Sequence, residues 1–134
     1  MKDVVSLNVV LFFCIMKKEE IIKNNKTFVT LYKRGYFTAG KAVVVYFRKN
    51  GTDRNKVGIT SSKKIGNAVK RNRARRVIRA AYDKKRDLFP KGYDIIFVAR
   101  EDATTVKSYQ IATFFEKVAI PFMKNPTRRK NNGK

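Results

Sequence analysis

Hydrophobic positions change period repeatedly along this chain, and each change marks an element. From Lys18 to Arg34 they recur at helical spacing: Ile21, Phe28 and Tyr32 form one stripe, Ile22 and Val29 lie beside it, and Gly35 follows as a C-cap. The run Ala42–Arg48, AVVVYFR, is β-branched and aromatic. Period two puts Ala42, Val44 and Tyr46 on one face and Val43, Val45 and Phe47 on the other. Tyr36–Ala39 reads as a short strand before it, Lys49–Asp53 as a turn, and Lys56–Ser62 as the next strand. Gly66 and Asn67 turn the chain into a helix from Ala68. Stepping about 100° per residue sets Ala74, Val77, Ile78, Ala81 and Leu88 on one side. Asn72, Arg75, Arg76 and Arg79 fall on the other, with Arg73 on the flank. Pro90-Lys91-Gly92 breaks the chain, and Tyr93–Arg100, YDIIFVAR, is a buried strand. Ser108–Met123 is an amphipathic helix with Ile111, Phe114, Phe115, Val118, Ala119 and Phe122 on one arc. Pro121 marks where its regular hydrogen bonding should stop.

This order, α-β-β-β-α-β-α, predicts an α+β two-layer sandwich in which the last two strands flank a helix as candidate parallel neighbours. The general handedness rule alone favours a right-handed crossover between them. At 134 residues one domain is expected. Residues 1–15 differ in composition from the rest of the chain. Val4–Ile15 is apolar apart from Ser6 and Asn8, too short for a membrane span of roughly 20 residues. It also lacks a small-residue cleavage site. The expectation is that translation begins at Met16. Residues 1–15 are then an upstream extension or a disordered segment, 16–124 the domain, and 125–134 a basic disordered tail.

Charge narrows the function. Lys and Arg number 32 against 10 Asp and Glu, a net charge of +22. The chain has no His and a single cysteine, Cys14. An internal disulfide, a Cys–His nucleophile, a Ser–His triad and a His-ligated metal are thereby excluded. Asp83 and Asp87, four apart, could share a hydrated magnesium; a solvated pair is the simpler reading. Ser61–Tyr82 holds eight cations, Lys63, Lys64, Lys70, Arg71, Arg73, Arg75, Arg76 and Arg79, and no acid. Like charges three and four apart on a helix repel by a few tenths of a kcal/mol per pair. Asp83 is the nearest acid and is expected to reach only Arg79. Such a face calls for a polyanion, with an acidic protein as the other partner class.

The same residues carry a resemblance. SKKIGNAVKRNRARRVIR resembles the signature of the bacterial ribonuclease P protein component, Lys-Lys-x-Gly-x-Ala-Val-x-Arg-Asn-x-x-Lys-Arg-x-x-Arg. Lys63, Lys64, Gly66, Ala68, Val69, Arg71, Asn72, Arg76 and Arg79 match it, and Arg75 keeps the charge where the family has Lys. A looser likeness runs from Ile22 to Phe122. The resemblance implies a left-handed β-α-β crossover, as in domain IV of elongation factor G. It also implies a cytoplasmic protein, one per catalytic RNA. That RNA holds the magnesium and removes the 5′ leader of precursor tRNA, so no protein residue is expected to be catalytic or to bind metal. Lys63, Lys64, Lys70, Arg71, Asn72, Arg73, Arg75, Arg76 and Arg79 would bind RNA. Phe28, Tyr32 and Tyr46, flanked by Arg71 and Asn72, would line a groove for the leader, with ordinary core as the lesser alternative for Phe28 and Tyr46. Two other classes stay open. One is a ribosomal or other structural RNA-binding protein. The other is a membrane-associated factor, suggested only by residues 4–15.

Overall fold

The computed structural model describes residues 21–22 and 24–126. The expectations for residues 1–15, for a start at Met16 and for most of the basic tail lie outside the described residues. No helix among the described residues is long and apolar enough to cross a membrane.

A ten-residue helix, α1 (Asn25–Arg34), leads into β1 (Tyr36–Ala39), β2 (Val43–Lys49) and β3 (Lys56–Ser61). The 18-residue helix α2 (Ala68–Lys85) then connects to β4 (Tyr93–Ala99). After β4 come α3 (Ser108–Phe114), a π-helical turn (Phe115–Ala119) and α4 (Ile120–Lys124). One sheet has the order β1-β2-β4-β3. β2 pairs antiparallel with β1 and β4, whereas β3 runs parallel to β4. β3, α2 and β4 therefore make the expected unit of a helix between two adjacent parallel strands.

Period two along the strands divides the sheet. Val43, Val45, Phe47, Ile95, Phe97 and Ala99 face the main core, where they meet Ala74, Ile78, Ala81 and Tyr82 of α2 and Phe115 beyond α3. Phe97 lies 5.4 Å from Tyr82 and 5.0 Å from Phe115, centroid to centroid. On the opposite face α1 packs over β2 and β4, burying Leu31 and Ile96 together with Ile22. Asn55, a buried polar residue, joins the start of β3 to the turn before β4. Its amide donates to the Pro90 carbonyl and its oxygen accepts from the Tyr93 N–H, each at 2.8 Å.

Several expectations change. The first helix begins at Asn25, because the Asn24 side chain accepts from the Lys26 N–H at 2.8 Å and caps it. Ile21 and Ile22 are extended instead: Ile21 bridges in parallel to Val57, and the Ile22 N–H donates to the Val57 carbonyl at 2.9 Å. Leu31, absent from the expected stripe, is the buried residue of α1, and Val29 is exposed. Ala42 precedes β2 and packs into the main core beside Val43. Leu88 is 48% exposed, since α2 gives way to a 3-10 turn (Arg86–Leu88) and helical stepping no longer holds; Tyr82 and Phe89 take the core positions. In the last helical stretch Ile111, Phe115, Ala119 and Met123 are buried at steps of four, a spacing that the wider π turn accommodates. Val118 is turned outward, and the helix runs past Pro121 to Lys124. The π turn directly before Pro121 loosens the regular hydrogen-bond ladder that proline would otherwise break.

Candidate nucleic-acid interface

The approach to α2 is set by local chemistry. Ser62 caps a 3-10 turn, Lys63–Ile65, by accepting from the Lys64 N–H at 3.2 Å. Gly66 then takes φ 108°, a conformation open to glycine and costly for other residues. Asn67 caps α2, its Oδ1 accepting from the Lys70 N–H at 3.0 Å. The first turn of α2 carries no acid, so the positive end of the helix dipole adds to the side-chain cations.

With Ala74, Ile78 and Ala81 buried and Val77 packed against the core, the cationic positions of the helix lie on its remaining sides. Asn72, Arg75, Arg76 and Arg79 together line an open recess of about 350 Å³, as helical stepping predicted. Arg75 is held in place: Nη1 donates to Ser61 Oγ at 3.1 Å, and Nη2 to Asn72 Oδ1. Arg76 and Arg79 are exposed. Arg73 lies on the other flank, where its Nε donates to the Thr104 carbonyl at 2.9 Å. Arg71 turns back to donate to the Gly66 carbonyl. Lys70 is exposed on the first turn, and Lys63 opens the 3-10 turn. Lys64 belongs to a separate recess of about 430 Å³ with Lys41, Ser62, Arg100, Glu101 and Asp102. The nine residues named from sequence thus follow the backbone from the end of β3 along α2, and four of them, Asn72, Arg75, Arg76 and Arg79, are gathered into one recess.

Asp83 does not reach back to Arg79. It pairs with Arg86 at 3.2 Å, and the Arg86 guanidinium lies 5.0 Å from the Tyr82 ring centroid. With Asp83 engaged and Asp87 exposed on the 3-10 turn, the two are not presented as a matched pair on one helix face.

The aromatic residues gather on the α1 side of the sheet. Phe28 lies over Gly58, where an added Cβ would come within 2.9 Å of its Cζ. Tyr32 is 6.4 Å from Phe28 and meets Tyr46 edge-on at 4.9 Å. Tyr46 continues to Phe37 of β1 at 5.7 Å. All four rings are half-buried. Phe28, Tyr32 and Tyr46 close over the small cluster of Ile22, Leu31 and Ile96, and all four rings keep part of their surface open. Burial raises the Tyr46 and Tyr32 pKa values, with Tyr46 adding to the effect on Tyr32. Both hydroxyls are therefore neutral donors at physiological pH. Arg71 and Asn72 are on a different element, at the start of α2 beyond the end of β3. Phe37 was missed from sequence; its signal was the register, since the turn after Ala39 pairs Phe37 with Tyr46.

The family described as "Ribonuclease P" matches residues 16–121. The ribonuclease P protein component of Pelotomaculum thermopropionicum is 41% identical over 96 residues, covering 72% of this chain and 86% of that protein. The one from Clostridioides difficile is 46% identical over 87 residues, with 62% and 76% covered. Among solved structures, the Staphylococcus aureus RNase P protein is similar at a TM-score of 0.65 and 34% identity, with 79% of this chain and 95% of that chain covered. The Thermotoga maritima RNase P protein is similar at a TM-score of 0.62 and 28% identity, with 70% and 89% covered.

Proposed function

The chain belongs to the ribonuclease P protein family, the protein components of a tRNA-processing endoribonuclease, and on that premise we propose how its two surfaces divide the work. The strip on α2 binds the ribonuclease P RNA. The aromatic row on the α1 side binds the unpaired 5′ leader of precursor tRNA. The protein associates with one RNA in the cytoplasm, and the RNA carries out the cleavage.

The observation that carries this reading is the acid-free recess of Asn72, Arg75, Arg76 and Arg79. Guanidinium groups fork onto phosphate oxygens, and a folded RNA presents mainly phosphates and 2′-hydroxyls to a helix face. Pinning one guanidinium between Ser61 and Asn72 reduces the freedom lost when it meets a phosphate. Lys63, Lys64, Lys70, Arg71 and Arg73 extend the same field toward both sides.

A leader offers a different chemistry, because its bases are unstacked. Half-buried rings stack bases without regard to sequence. Arg71 and Asn72, at the start of α2, would meet the strand where it leaves the aromatic row toward the RNA. Magnesium held mainly by the RNA would supply activated water and charge neutralisation. This chain's residues contribute binding and alignment.

The test is cleavage of precursor tRNA by a ribonuclease P RNA with and without this protein. Accelerated cleavage, leaving a 5′-phosphate on the mature end, is the expected result. Tight binding of ribosomal RNA with no effect on cleavage would overturn the proposal in favour of a structural RNA binder.

A further inference from the structure

The aromatic row does not end at Tyr46. Phe37 on β1 stands directly across from it in the strand register, with ring centroids 5.7 Å apart and planes tilted by 30°. Its neighbour Tyr36 points to the other face and stacks on Phe47 at 5.8 Å in the main core. Phe37 is therefore not needed to fill that core. The helix over its own face, α1, packs on the central strands β2 and β4. Toward the β1 edge the face is only part covered: Phe37, Val44 and Tyr46 are half-buried, while Ala39 and Arg48 are exposed. Arg48 follows Tyr46 by two residues on β2, so it shares that face.

We propose that Phe37 and Arg48 extend the leader groove to the β1 edge of the sheet and hold one further nucleotide of single-stranded RNA. Phe37 stacks its base, and Arg48 meets a neighbouring phosphate. The proposal places this nucleotide beyond the one over Tyr46. β1 is the edge opposite β3, and the Arg-rich strip begins at the end of β3, where Ser61 bonds Arg75. With the catalytic RNA on that strip, the base over Phe37 lies farther from the cleavage point than the base over Tyr46. The extension rests on the leader reading above.

The experiment titrates the assembled enzyme with precursor tRNAs whose leaders are shortened one nucleotide at a time. The natural protein should gain affinity in steps as the leader lengthens. Phe37→Ala should lose the step contributed by the longest leaders, about tenfold, given the usual strength of base stacking. It should match the natural protein on short leaders, and Phe37→Tyr should restore the step. Arg48→Gln is the surface control: it should lower the salt dependence of binding for long leaders alone. Equal loss at every leader length would make Phe37 a structural residue and overturn the extension, as would no loss at any length. Should Phe37→Ala fail to fold, the leader-length dependence of Arg48→Gln decides. Tyr46→Ala separates the two levels. If it leaves leader dependence intact, the groove itself is wrong; if it abolishes that dependence while Phe37→Ala and Arg48→Gln do not, only the extension falls.

Discussion

Arg75 donates to Ser61 Oγ at 3.1 Å, a bond that ties the outward face of α2 to the last residue of β3. Ser61→Ala removes that tether and leaves Asn72 as the remaining side-chain anchor of the guanidinium. A single hydrogen bond of this kind contributes about 0.5–1.5 kcal/mol. RNA affinity should fall several-fold, with an unchanged far-UV circular dichroism spectrum. Filter binding against ribonuclease P RNA measures it, and an undiminished affinity would show that the tether does not organise the site.

Arg76 faces solvent from the same recess. Arg76→Ala should lower the slope of log affinity against log salt by about one unit, as expected for one lost phosphate contact. The melting temperature should barely move. A series of titrations at increasing salt reads the slope directly.

Tyr46→Ala should weaken binding of a leader-bearing precursor by about tenfold or more and leave mature tRNA nearly unaffected. Assembly with the ribonuclease P RNA should persist, whereas Arg76→Ala should weaken it. Paired titrations of the assembled enzyme with precursor and mature tRNA make the comparison. Equal losses for both would return Tyr46 to the role of core residue.

Gly58→Ala would drive a methyl group into the Phe28 ring, whose Cζ sits 2.9 Å from the added Cβ. Overpacking of this kind typically costs about 1–3 kcal/mol. The melting temperature should drop, and precursor affinity should drop with it because Phe28 must leave its place in the row. A Gly58→Ala, Phe28→Ala double variant should recover much of the stability without recovering the affinity.

Burial raises the Tyr46 and Tyr32 pKa values above the ordinary 10.0. The folded protein thus holds these protons more tightly than the unfolded chain. The associated stability is complete below pH 10.0, the ordinary value, and is lost as pH rises through the raised folded value. An absorbance titration of the phenolates should show a late component that shrinks in Tyr46→Phe. A single early transition for all tyrosines would contradict the burial of these two.

The basic face of α2 was legible because an uninterrupted 18-residue helix lets simple angular stepping separate Ala74, Ile78 and Ala81 from Asn72, Arg75, Arg76 and Arg79. Stepping failed where the backbone left that geometry. Leu88 lies beyond the switch to a 3-10 turn, and Val118 lies inside a π turn. Neither switch has a residue signature as plain as glycine or proline. Ile21 and Ile22 fit a helical stripe by spacing, yet Asn24 caps the helix after them and leaves both free to pair with β3. Phe28, Tyr32 and Tyr46 were identifiable as aromatic positions at helix and strand spacing. Their convergence on one row, and the inclusion of Phe37, depends on strand order and register, which arise from pairings distant in sequence.

The pairing of Ile21 and Ile22 with Val57 has a consequence for solubility. β3 is an outer strand of the sheet, and an outer strand with unmet backbone groups invites another chain to add on. A short stretch of the protein's own backbone already occupies part of that margin. The same stretch reaches the apolar cluster through Ile22, which is 7% exposed. Ordering these two residues therefore guards against self-association in a chain whose net charge of +22 already keeps copies apart until RNA neutralises it.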